Sequence, residues 1–396
     1  MKNLLLPLLL AGLVLAGCSS NPNAIEPNDL PDFEASYKVK RLWSEGVGDG
    51  LQDSQLTLRP AVTSLQVVAG DVEGRVYAIN RETGKRQWRV KTGDRIAGGF
   101  YTGYGMVLYG TREGMAVALD AETGDTLWKT QLTGEALAIP VSDGNLAIFQ
   151  TQDGHIAALD AATGEQRWDF ETPPPTLTLR GLAQPTIAGD KVYAGFANAK
   201  VVALDLSSGA PVWEKRIAEA TGRSELDRLV DVDGNLIVEG GGVFAVSFQG
   251  KIGVLDADTG RLYWEKPMSS AREISTSGAG SLFVADDVGV VRAVDQRGGT
   301  VLWKQDKLYG RRLTGTAYQG GLVAAGDFEG YIHWLNADDG SIVARKRHDG
   351  DGFAGTPVAY GDVLYVVGFD GKLSAYQLSP RKPSFWKRLF SSDSDE

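Results

Sequence analysis

The sequence predicts an all-β fold, an eight-bladed β-propeller of four-stranded antiparallel blades, with the ring closed by an N-terminal Trp43 strand that joins the last blade. Three observations carry that prediction. One phrase recurs eight times, a proline marker keeps a constant offset from it, and the two ends of the chain complement each other.

The phrase is a Gly, an alternating apolar stretch, an Asp or Asn, a Gly turn and a Trp. It reads EGRVYAINRETGKRQW up to Trp88, EGMAVALDAETGDTLW up to Trp128 and DGHIAALDAATGEQRW up to Trp168. Weaker copies end at Trp213, Trp264 and Trp303; a seventh from Gly330 has Ala344 in place of the Trp, and an eighth from Gly371 stops near Gln377. The acidic or amide position falls at Asn80, Asp120, Asp160, Asp205, Asp256, Asp295, Asn336 and Gln377, at intervals of 40, 40, 45, 51, 39, 41 and 41 residues. That period holds four short strands, the content of one blade.

Within a copy, Val76–Ile79 or Ile156–Leu159 is short and β-rich, bounded by Asp-Gly or Thr-Gly turns, which reads as hairpin-linked strands. Pro60, Pro140 and Pro357 stand fourteen residues before the repeat Gly, and Pro185 has that offset from Ala199, which replaces the Gly of the fourth copy. These prolines mark the start of each first strand, where a missing N–H is tolerated. A blade then runs from the first strand through an Asp143-Gly144 turn, a second strand (145–151), a turn at Asp153-Gly154, a third strand ending at Asp160, a turn at Thr163-Gly164 and a fourth strand bearing the Trp. The Trp side chains read as wedges between blades, each burial worth roughly 2–3 kcal/mol. The eighth copy lacks a Trp strand, and an orphan one, Lys40-Arg41-Leu42-Trp43, precedes the first copy. Joining the two closes the ring and removes its open sheet edges.

The first residues, MKNLLLPLLLAGLVLAGC, read as a signal peptide over 1–17: Lys2, then an apolar stretch from Leu4 to Ala16 that Pro7 interrupts and that is short for a membrane span. Leu15-Ala16-Gly17-Cys18 resembles a bacterial lipobox, which implies acylation of Cys18. It is the single cysteine of the chain, so no disulfide can form within a monomer. Ser19 and Ser20 follow, and by resemblance to sorted lipoproteins the absence of Asp there implies the outer membrane. Residues 18–37 read as a flexible polar tether, 38–378 as the propeller and 379–396 as a disordered tail that is basic and aromatic before it turns acidic. The formal charge of −10 gives the chain little attraction for nucleic acid or anionic lipid.

Chemistry of an enzymatic kind is hard to find. The three histidines, His155, His333 and His348, sit at variable strand or loop positions, and no HExxH, GxSxG, P-loop or Cys/His zinc pattern occurs. Asp231-Val232-Asp233-Gly234-Asn235 has a faint calcium-loop look but lacks the remaining ligands. The expectation is no catalytic residue, no metal and no cofactor.

Function is therefore expected in the loops. The crossover from a Trp strand to the next blade takes 12 residues after Trp88 and Trp128, 11 after Trp264 and 13 after Trp303, but 17 after Trp168 and 23 after Trp213. All crossovers of this type emerge on one face, so 172–184 and 217–234 should be neighbours on one rim. The first, TPPPTLTLRGLAQ, presents Leu177 and Leu179 at alternate positions beside Arg180; its prolines favour an extended form. The second carries Glu225, Asp227, Arg228, Asp231 and Asp233. Apolar anchors beside an Arg, rimmed by carboxylates, suit a protein–protein hot spot, or else two loops that simply pack on each other.

With repeats, lipobox and loops together, the chain resembles the BamB family, the propeller lipoproteins of the bacterial β-barrel assembly machinery, from about Tyr37 to Leu378. The most specific pieces are Leu177-Thr178-Leu179-Arg180-Gly181 and the stretch from Ser224 to Asp233. The resemblance implies a non-enzymatic scaffold on the periplasmic side of the outer membrane that docks on the POTRA domains of BamA and supports insertion of outer-membrane proteins. It also implies partner-binding roles for Leu177, Leu179, Arg180, Asp231 and Asp233. Asp231 and Asp233 would either orient Arg180 or meet cations of the partner. Pairing of a blade edge with nascent strands is a weaker implication. The AxDxxTGxxxW phrase also resembles the repeats of quinoprotein dehydrogenases, which bind pyrroloquinoline quinone and calcium. Those enzymes are much longer and usually carry a vicinal disulfide, which one cysteine cannot form.

Overall fold

The computed structural model describes residues 25–52, 56–175, 177–178, 183–197, 199–219, 223–224, 228–348, 350 and 352–381. The signal peptide, Cys18 and the tail from residue 382 lie outside the described residues. The strands form eight antiparallel sheets of four. In chain order the blades are 61–91, 101–131, 141–171, 186–216, 237–267, 275–305 and 317–347, numbered 1 to 7. Blade 8 combines the last three strands with the N-terminal strand Tyr37–Gly46, which pairs along Lys372–Pro380 from Tyr37 opposite Pro380 to Gly46 opposite Lys372. The all-β, eight-bladed, ring-closed propeller read from the repeats is thus the observed architecture.

The repeated phrase is a lock between blades. In each blade the pairing of third and fourth strands shifts register beside the Trp position, as between Ala158 and Leu159 opposite Trp168 and Gln166. Such a bulge twists the strand and re-aims its side chains. The indole N–H then donates across to the following blade: Trp88 to Ala121 O at 2.9 Å, Trp128 to Ala161 O at 2.9 Å, Trp213 to Ala257 O at 2.9 Å and Trp303 to Ala337 O at 2.7 Å. Trp43 does the same with Arg81 O at 2.9 Å, across the closure. The face of each indole lies against the turn glycine of that next blade. A Cβ on Gly124 would come within 2.7 Å of the Trp88 ring, and one on Gly164 within 2.7 Å of Trp128. These glycines also have φ of +80° and +75°, so two independent demands select Gly there. The acidic position shapes the same turn: Asp160 Oδ1 accepts from the N–H of Ala162 and Thr163, and Gly164 N–H closes back on Asp160 O at 2.8 Å.

The one seam without a Trp also lacks its glycine. Ala344 is buried at the end of blade 7, and Lys372–Pro380 of blade 8 continues straight where other blades turn. Trp334 fills this seam from the third strand, its N–H on Gln319 Oε1 at 2.9 Å and its ring edge-on to Tyr376 at 6.4 Å. Here the N-terminal segment adds a brace. Residues 25–36, part of the stretch read from composition as tether, lie along blades 6 and 7. Asn28 N–H donates to Tyr309 O, Arg311 Nη1 to Asn28 O, Arg345 Nη1 to Pro31 O, and Ser36 N–H to Val343 O. The Arg345 guanidinium also lies over the Phe33 ring at 5.1 Å.

Hydrogen bonds sort the loops into two faces. On one, each fourth strand exits onto the turn between second and third strands of its own blade, as in Thr92 N–H to Gly74 O and Thr172 N–H to Gly154 O, both 2.9 Å. On the other, the first and third turns of a blade join, as in Arg81 N–H to Leu65 O at 3.0 Å. The crossovers between blades all belong to the first face.

Candidate docking site

The two oversized crossovers span from Glu171 to Thr186 and from Arg216 to Ile237, side by side on that first face. Gly195 of blade 4 shows how closely they meet: a Cβ there would collide with Val232 of one crossover and touch Ala183 of the other. Ala183, Ile217, Ala218, Val230, Val232 and Leu236 form one buried cluster with the blade 4 and 5 strands. The feet of both loops are therefore core, fastened by Val232 N–H to Phe196 O at 3.2 Å and Phe248 N–H to Asp231 O at 2.8 Å. Lys200 reaches back to Thr172 Oγ1 at 2.6 Å and holds the start of the first loop.

The residues expected to bind a partner fall into three groups. Leu177 is 41% exposed, so a large apolar side chain stands in solvent. Leu179 and Arg180 lie outside the described residues. Asp231 is 2% exposed and has a bonding partner, whereas Asp233 is part-buried. Asp233 Oδ2 is shielded from solvent and has no hydrogen-bond partner among the described residues. Burial pushes its carboxyl up to about 7, and the charges of Asp231 and Asp287 add to the rise. Leu177, Asp231 and Asp233 thus share one face and two adjacent crossovers.

Asp233 also borders a feature that the repeat pattern did not announce. Crossovers from around the whole ring line an axial cavity of ≈ 430 Å³ on the same face. Arg59, from the crossover into blade 1, spans the axis: its Nη1 donates to Gln184 Oε1 at 3.2 Å and pairs with Glu273 Oε2 at 3.1 Å. Gln184 is the last residue before Pro185, so this brace fixes the foot of the first long crossover. Its only trace in sequence is an arginine beside the marker Pro60.

The histidines behave differently from the reading of variable positions. His155 does pair with Asp169 at 2.8 Å on a strand. His333 is fully buried, its Nε2 2.8 Å from Asp327 Oδ2, and burial pushes its pKa down. Arg311, also buried, binds Asp327 at 2.8 Å and Glu329 as well. Burial opposes the Asp327 charge, but the bonds from His333, Tyr331 N–H and Arg311 hold its carboxyl below the usual range. These groups serve blade 7 and the N-terminal brace. His348 is buried too, against Tyr376 Oη at 3.0 Å. Among the described residues no group of His, Cys, Asp and Glu is arranged to hold a metal ion.

Known proteins set this geometry in context. A family model described as "Outer membrane protein assembly factor BamB" matches residues 72–288 and 287–382. The chain is 51% identical over 372 residues to the protein of that name from Pseudomonas aeruginosa, covering 94% of this chain and 98% of the relative. It is 35% identical over 384 residues to the one from Escherichia coli K12, with 94% and 98% covered. The crystal structure of BamB from Moraxella catarrhalis superposes with a TM-score of 0.78 at 29% identity, over 86% of this chain and all of that one. A quinohemoprotein alcohol dehydrogenase from Comamonas testosteroni superposes with a TM-score of 0.70 at 15% identity, over 87% of this chain and 78% of that one, and shares the fold alone. Repeat, ring and near-full-length identity agree: the chain belongs to the BamB family of outer membrane protein assembly factors.

Proposed function

We propose that this propeller docks on the POTRA domains of BamA through the rim formed by its two long crossovers, and so scaffolds the insertion of β-barrel proteins. Membership in the BamB family makes it an outer-membrane assembly factor rather than a dehydrogenase. The observation that supports the docking reading is an exposed Leu177 on one long crossover, with Asp231 and Asp233 on the neighbouring crossover of the same face. Leu177 and Leu179 supply apolar burial, and Arg180 bonds a carboxylate or carbonyl of the partner. Asp231, at 2% exposure, supports the crossover from within, while Asp233 borders the contact. Lipid on Cys18 holds the protein at the periplasmic face of the outer membrane, and the rigid ring keeps the two loops in register without chemistry of its own.

Co-purification with BamA tests this directly. Leu177→Ala and Arg180→Ala each remove most of the captured BamA while the melting transition stays that of the parent. Undiminished capture by both variants would remove the site.

A further inference from the structure

We infer that the C-terminal tail, residues 382–396, folds back on the face opposite the crossovers and covers an apolar ridge there with Phe385, Trp386, Leu389 and Phe390. This inference is independent of the docking reading, whose rim lies on the other face. The ridge forms at the turns between first and second strands. Tyr360 of blade 8, Leu65 of blade 1 and Tyr104 of blade 2 stand 37%, 74% and 66% exposed on three consecutive blades. Among the described residues, the matching turns of blades 3 to 7 carry no exposed large apolar side chain. Arg81 ties the first two together: its guanidinium lies over the Tyr360 ring at 4.9 Å, and its Nε donates to Ser64 O at 2.9 Å. Tyr104 has φ of +52°, where Gly189, Gly240 and Gly320 have +61°, +58° and +55° in the turns of other blades. Its ring lies against Gly144 of blade 3 and stays mostly exposed. Solvent gives no reason to keep an aromatic ring at that backbone cost; an apolar partner does.

Exit point, length and chemistry make the tail the occupant. The third strand of blade 8 runs on to Pro380, past Gln377, which aligns with Asn336 at the end of the equivalent strand of blade 7. Arg381 N–H then bonds Ser36 O at 2.8 Å. The chain is thus delivered to the face that carries the ridge, two strands from Tyr360, or about 10 Å at the usual strand spacing. Residues 385–390 follow Arg381 by four to nine positions, an extended reach of about 14–32 Å, enough to pass Tyr360 and cross onto blade 1. The pairs Phe385-Trp386 and Leu389-Phe390 flank Lys387-Arg388. The turns beside the ridge expose Glu82, Glu122, Asp125 and Asp362. Apolar pairs for the ridge and cations for its acidic margin are complementary. The match to the family model stops at residue 382, so the cover lies outside what that model describes. A lipid surface also accepts basic and aromatic residues. The brace, however, carries the N-terminal end to Tyr309 on the crossover face, away from where the tail starts.

The experiment has two arms on the mature chain with its tail, carrying Cys18→Ser so that neither lipid nor detergent competes. In the first, a photoreactive residue replaces Leu65 and, as a control, Leu127, which is exposed on the outer strand of blade 2. Monomer adducts from position 65 to residues 385–390 are expected, with none from position 127. In the second, tryptic cleavage after Lys387 and Arg388 is timed in the parent and in the double variant Leu65→Ser, Tyr104→Gly. Both sites are exposed and the glycine relieves the backbone of residue 104, so an unchanged melting transition is expected. Cleavage should be about tenfold faster in the variant, because it tracks the released population. Absence of tail adducts from position 65, or equal cleavage rates in parent and variant, overturns the inference. Adducts found only between two chains assign the ridge to a second copy and also overturn it. Cleavage slowed only when vesicles of phosphatidylethanolamine and phosphatidylglycerol are added, with no adducts from position 65, assigns the tail to a lipid surface and overturns it as well.

Discussion

Replacing Asp233 by Asn should stabilise the isolated propeller at pH 8 and lose that advantage as pH falls. The folded carboxyl is pushed up from 3.8 to about 7, chiefly by burial, with Asp231 and Asp287 repelling its charge; Arg272 and the Arg59-bound Glu273 are the other charged groups lining the cavity. Below about pH 4 Asp233 is protonated in both folded and unfolded chains and no penalty exists. As pH rises from about 4 to about 7 the unfolded chain gives up the proton first, so stability falls; above that the loss is constant. A shift of about three units corresponds to a ceiling of about 4 kcal/mol. The amide introduces an N–H₂ that lacks an assured acceptor, which returns about 1–3 kcal/mol. The net expectation is a gain of about 1–3 kcal/mol at pH 8 that turns into a loss of about 1–3 kcal/mol near pH 4, where only the cost of the amide remains. Urea unfolding of parent and variant at both pH values measures it. An equal difference at the two pH values, or a variant less stable at pH 8, would refute the assignment of Asp233 as an under-bonded buried acid.

Other expectations concern the ring. Gly124→Ala must adopt φ near +80° and push into the Trp88 ring, so a loss of about 2–4 kcal/mol is expected by denaturant unfolding. Ala344→Trp restores the repeat phrase yet should lower stability by about 1–3 kcal/mol, because blade 8 offers no turn glycine and Trp334 already fills the seam. Arg311→Met breaks the buried pair with Asp327 and the bond to Asn28 O, with about 3–5 kcal/mol lost. The same variant should speed limited proteolysis within residues 25–36; an unchanged cleavage rate there would dissociate the brace from Arg311.

The architecture was open to sequence reading because one local interaction recurs with fixed spacing. Trp, acidic turn residue and Gly are all parts of the same inter-blade contact, so their period counts the blades, and Pro60, Pro140, Pro185 and Pro357 each directly precede a first strand. The absent Trp at position 344 was visible; its cause was not, because it lies in how the last strand pairs with Tyr37–Gly46 across the whole chain. Loop lengths likewise singled out the two crossovers, and strand order sets them side by side. What no spacing could reveal was long-range pairing. Arg59 meets Gln184 and Glu273 across the axis, and His333 meets Asp327 and Arg311 inside blade 7. Aligned copies made His333 look variable, because Tyr77, Val117 and Ala157 occupy its position, and only the local partners make it buried and polar. The carboxylates of the candidate site share this difficulty: Asp231 and Asp233 are two residues apart, and burial alone separates their roles.

Site-specific photo-crosslinking asks most directly whether the crossover rim is the docking surface. A photoreactive residue at position 177 is compared with one at Leu65, which is 74% exposed on the opposite face. The account predicts BamA adducts, mapping to POTRA domains, from position 177 and none from position 65. Adducts from position 65 with none from 177 would contradict it.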